Sequence, residues 1–154
     1  MEAMLAATPA GPDVGDVEER IATLIDAMQS MALRHESLLR TMIHQTVLER
    51  GFAALPRRGT RRIDWIESAA KPVRARVGPR AYERLVSALS LCGGIEALLV
   101  LRDVRGLSEG DAIGVSRWAA LALLRQTLQE AEAKKRTRPS GKARPRATPT
   151  RNRR

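Results

Sequence analysis

Aromatic side chains are scarce in this chain: Phe52, Trp65, Tyr82 and Trp118 are the only ones among 154 residues. A core must therefore come from Leu, Ile, Val, Met and Ala, a composition that favours helices over strands. Cys92 is the single cysteine, which excludes an intrachain disulfide and suits a reducing cytosol. It has no cationic neighbour in sequence to lower its pKa. His35 and His44, nine positions apart, do not make a metal site with one cysteine. A Gly-rich phosphate loop is missing too. The expectation is a protein with no catalytic residues, no metal and no cofactor, and so not an enzyme. Long apolar runs are also missing. The most apolar window, 85–101, contains Glu96 and falls short of the roughly 20 residues of a membrane span. The start, "MEAMLAATPAG", has no basic opening of a secretory signal. The reading is a cytoplasmic protein with no membrane contact.

Acidic residues are missing from one region only. Ten of the 27 Lys and Arg fall between Lys134 and Arg154, without one Asp or Glu, leaving 17 basic against 17 acidic residues before them. The body is neutral and the tail carries the whole net charge of +10. Three parts follow: residues 1–15, ending in the linker "TPAGPDVG"; a helical body over 16–133; and a tail over 134–154 that its composition makes disordered.

Helical periodicity organises the body. Asp16, with Glu19 three residues on, marks a helix start. Val17, Ile21, Leu24, Ile25, Met28 and Met31 then form one stripe. The stripe changes phase at Arg34–His35, and a second helix runs from about Glu36 to Arg50 with Gly51 closing it. After the loop 54–62, Ile63, Ile66, Ala70, Val73 and Val77 form a third stripe, which Pro72 should kink or shorten. Pro79 suits a first helical position. The fourth helix is expected to run from Pro79 to about Val104 and to end at Gly106. Ser108 with Asp111 resembles a capping box for a fifth, ending near Ala133. No segment alternates with period two. The fold class is all-α with five main helices.

The last two helices, "LVSALSLCGGIEALLVL" and "WAALALLRQTL", are apolar around most of their circumference. One monomer covers a single side of each, so the same pair from a second subunit is the expected cover, forming a twofold four-helix bundle. Gly93 and Gly94 would allow close approach at the crossing, with Leu98, Leu101, Trp118, Leu121 and Leu124 lining the interface. The alternative is an ordinary central helix with Ala and Gly packing.

The order of pieces, "HESLLRTMIHQTVLE" (35–49) followed by residues 61–128, resembles the C-terminal ligand-binding and dimerisation domain of TetR-family transcriptional regulators. The specific stretches are "RIDWIESAAKP" (62–72) and "EALLVLRDVRGLS" (96–108). The resemblance covers about residues 1–133. It implies an effector-sensing homodimer, or a partner of a full-length TetR-like paralogue, that takes a small apolar or amphipathic effector. Family members open with a helix-turn-helix domain and a connecting helix. Here "MEAMLAA" would fall on that connecting helix, so DNA reading is not carried over. Within the body, "RARVGPRAYERL" fails the helix-turn-helix spacing, and the helix opened by "GVSR" is apolar where groove contacts should lie.

Candidate effector contacts are Met28, Met42, His44, Gln45, Trp65, Cys92 and Glu96: polar handles and adaptable walls beside apolar stripes. Packing is the commoner role for each taken singly. Small residues at Ala69, Ala70, Ala88, Gly93 and Gly94 would leave the room. Glu96 has a second reading, as the ion-pair partner of an arginine such as Arg102 or Arg125 or as a residue on a narrow wet stripe. The alternative function is non-specific nucleic-acid binding through the tail, by Lys134, Lys135, Arg136, Arg138, Lys142, Arg144 and Arg146.

Overall fold

The structure is a computed structural model that describes residues 14–48 and 60–137. Among these residues every regular element is helical: α1 Val14–Arg34, α2 Glu36–Leu48, α3 Arg61–Ala70, α4 Arg74–Val77, α5 Pro79–Leu89, α6 Ile95–Leu99 and α7 Glu109–Thr137. A 3₁₀ turn, Lys71–Val73, joins α3 to α4, and a π turn, Val100–Val104, extends α6. No described helix is long and apolar enough to cross a membrane.

The elements stop where local chemistry stops them. His35 is the turn between α1 and α2, at the phase change of the stripe. Pro72 sits at the start of the 3₁₀ turn, and α3 ends at Ala70 because a proline disfavours α geometry in the residue before it and supplies no N–H. Gly106 (φ 68°) closes the π turn in a conformation that side chains resist. The Ser108 hydroxyl accepts from the Asp111 N–H at 3.2 Å and donates to its carboxylate at 2.6 Å, capping α7.

The long helices α1 and α7 pack along each other, with α3 and α5 closing the sides. Val17, Ile21, Leu24, Ile25 and Met28 of α1 meet Ile66 of α3, Tyr82, Leu85, Val86 and Leu89 of α5, and Ala120, Leu124 and Leu128 of α7. A smaller cluster, Ala32, Ile95, Leu98 and Ala112, lies under α2 and the π turn. Ion pairs stitch the outside of the α1–α7 seam: Arg117 to Asp26 at 2.8 Å and Arg125 to Glu18 at 2.5 Å.

Three expectations are corrected here. The helix expected over 79–104 is broken at residues 90–94. Gly94 adopts φ 96°, and two consecutive glycines provide both the left-handed conformation and the close approach of the turn to α1. Gly93 and Gly94 therefore serve packing within one chain. A Cβ on Gly93 would meet Met28 Cε at 3.1 Å, and one on Gly94 would meet Arg62 Nη2 at 2.8 Å. The last helix also runs on to Thr137, past Ala133, so Lys134, Lys135 and Arg136 lie on α7 and the tail boundary is later than expected. The "GVSR" segment belongs to the same unbroken α7, which leaves no helix-turn-helix there. Gly51 and most of the 54–62 loop lie outside the described residues.

Candidate functional site

The turn between α5 and α6 is held from beneath by an amide. Gln29, fully buried in α1, donates through Nε2 to the Ser116 hydroxyl of α7 at 2.6 Å. Its Oε1 accepts from the Gly94 N–H at 3.1 Å. One side chain thus satisfies the first residue before α6 and the middle of α7, and a buried amide with both ends paired is stable where an unpaired one is costly.

From the other side the turn is gripped by Arg62 of α3. Its guanidinium donates to the Glu96 carboxylate at 2.7 Å and to the Ser90 carbonyl at 3.2 Å. Glu96 is therefore neither buried alone nor paired with Arg102 or Arg125. Those arginines hold Glu109 and Glu18 instead. Asp103 in the π turn is bound by both terminal nitrogens of Arg40 at 2.7 and 2.8 Å. That bond holds its carboxyl below the usual carboxylate range. Cys92 is buried, and burial pushes its thiol up, so it is a poor nucleophile. Among the described residues no cluster of His, Cys, Asp and Glu is placed to hold a metal ion.

Above this framework lies an apolar groove of about 490 Å³ between α6 with its π turn and α7. Leu91, Ala97, Val100, Leu101, Val115 and Ala119 line it, with Arg62, Glu96 and Cys92 at one end. Beside the groove Trp118 stands 70% exposed; Leu91 and Val104 are each 78% exposed and Val100 56%. Val115 and Trp118 are three residues apart on α7, so they share one face.

The expected sites sort accordingly. Of the interface residues, Leu98 and Leu124 are buried in the chain's own core, as are Gly93 and Gly94. Leu101 and Leu121 are half-buried, and Trp118 is the one fully at the surface. Leu91, Val100, Val104 and Val115 were not among them. The apolar run announced them, but its inner and outer halves are indistinguishable until the helix break sets their phase. The effector residues are not brought together. Met28 fills the space over Gly93. Met42, His44 and Gln45 lie exposed on α2, Cys92 and Glu96 end the groove, and Trp65 lines a separate cleft between α1 and α3. The room expected beside the small residues is thus taken up at Gly93, while Ala69 and Ala70 are packed in the core. Arg138, Lys142, Arg144 and Arg146 lie outside the described residues. Lys134, Lys135 and Arg136 are exposed in the last turn of α7, where cations suit the helix dipole.

No family model, curated protein or solved structure matches the chain.

Proposed function

We propose that this chain is the effector-sensing and dimerisation module of a TetR-like transcriptional regulator, joined to a second copy through the outer faces of α6, its π turn and α7. The observation that carries this reading is the exposed face of Leu91, Val100, Val104, Val115 and Trp118. Contiguous apolar surface of this kind marks an interaction site, and tryptophan is enriched at interface centres. The face suits a second copy because it holds a ridge and a groove side by side. A twofold axis over this face seats each Trp118 on the groove of the other copy, and both contacts form at once. Two helical segments from each chain then make the four-helix arrangement that the resemblance implies. The Arg62–Glu96 and Arg102–Glu109 pairs at the margin suit a polar rim.

Two substitutions separate association from folding. Trp118→Arg places a charge on a residue already in water, so the monomer should keep its melting temperature to within about 0.5 kcal/mol of stability. On size exclusion it should elute later than the unmutated chain. Leu98→Arg places a charge in the inner cluster and should unfold the chain, at a cost of about 3–5 kcal/mol. Co-elution of Trp118→Arg with the unmutated protein would sink the proposed interface.

A further inference from the structure

A second concavity lies away from the dimer face, in the valley between α1 and α3. Its volume is about 340 Å³, within the range of roughly 300–1,000 Å³ typical of small-molecule sites. On α1 it is lined by Thr23, Asp26, Ser30 and Arg34, which recur at three- and four-residue spacing and so share one face. Across the valley stands Trp65 of α3, half-buried against the core.

The polar groups in this cleft are in unequal states. Arg20, at the amino-terminal end, is tied across the valley by donation to the Ser68 carbonyl at 2.9 Å. Asp26 has one oxygen engaged: its Oδ2 accepts from Arg117 at 2.8 Å. Its Oδ1 is buried with no hydrogen-bond partner, and unsatisfied buried acceptors are rare enough in native proteins to need an occupant or another explanation. Arg34, at the open end, is exposed and pairs with no carboxylate among the described residues. Helical side chains lean toward the helix amino terminus, so Arg34 leans over Ser30 and the cleft.

From these features we infer that the α1–α3 cleft binds a small planar aromatic monocarboxylate carrying a ring hydroxyl. Each part of that ligand answers one feature. The carboxylate meets the Arg34 guanidinium, whose planar fork fits it with two parallel hydrogen bonds. The ring lies on the Trp65 indole. The hydroxyl donates to Asp26 Oδ1. A second negative charge is disfavoured, because Arg20 is already engaged and the Asp26 carboxylate repels it. The inference rests on the effector-sensing half of the proposed function and is independent of the dimer.

The test titrates the unmutated full chain with 4-hydroxybenzoate, benzoate and phenol. It follows the indole N–H resonance of Trp65, assigned by its loss in Trp65→Phe. Saturable movement of the Trp65 signal is expected with 4-hydroxybenzoate, with benzoate and phenol each weaker by about tenfold or more, the scale of one lost charge-assisted hydrogen bond. Arg34→Gln, at an exposed position, should weaken 4-hydroxybenzoate by about tenfold and leave phenol unchanged. No saturable Trp65 movement with any probe, or 4-hydroxybenzoate binding untouched by Arg34→Gln, overturns the inference. An environment-sensitive apolar dye added to the same sample separates the two readings. Dye binding with a silent Trp65 overturns the cleft while leaving effector sensing at another site.

Discussion

Gln29 sits at 0% exposure in an otherwise apolar stripe, and its two hydrogen bonds join three segments distant in sequence. Replacing it with Leu keeps the volume but strands the Gly94 N–H and the Ser116 hydroxyl. Each stranded group costs roughly 1–3 kcal/mol, so Gln29→Leu should lower the melting temperature markedly. Ser116→Ala, which leaves only the Nε2 of the amide unpaired, should cost less. Thermal unfolding followed by circular dichroism orders the two, and a Gln29→Leu protein as stable as the unmutated chain would remove the node from the account. The residue was invisible in the sequence because nothing at position 29 points to positions 94 and 116. The same holds for Glu96, whose partner Arg62 lies 34 residues away. The sequence exposed the polar residue inside the apolar run and the need for a partner, but a pairing at that separation is settled only by how α3 meets the turn.

Helices themselves were legible to the extent that their signals are local. The phase change at His35, the stop at Pro72 and the Ser108–Asp111 cap all act within one turn of chain, and each falls where the structure places it. The break at 90–94 was missed because glycine within an apolar helix is merely unfavourable, by about 1 kcal/mol, and the apolar run continues on both sides. What decides the break is tertiary: Ile25 and Met28 occupy the space beside Gly93, and Arg62 that beside Gly94. Substitution should reflect the difference. Gly93→Ala asks only the flexible end of Met28 to yield, while Gly94→Ala forces a left-handed alanine and displaces Arg62 from Glu96. Gly94→Ala should be the more damaging, by about 1–2 kcal/mol, and urea unfolding of both variants measures it. Equal midpoints for the two would contradict the assignment of Gly94 as the hinge of the turn.

At the scale of the molecule, charge and apolar surface have separate consequences. The Arg125 bond to Glu18 holds that carboxyl below its ordinary value of 4.5, and bonds from Arg40 and Arg84 lower Asp103 and Glu130 likewise. A group depressed in the folded state stabilises it fully above the unfolded pKa, and that contribution is lost as pH falls through the folded value. The melting temperature should therefore decline on acidification below about pH 4.5, the ordinary Glu18 value, and decline less in Arg125→Gln. A midpoint flat across this window would show that the surface pairs contribute nothing. The apolar face bears on the central claim, that this chain works as a pair. Sedimentation equilibrium of the unmutated protein at micromolar concentration tests it most directly. The account predicts twice the 16.9 kDa chain mass, reduced to a single chain by Trp118→Arg; a well-folded unmutated protein sedimenting as a single chain would contradict it.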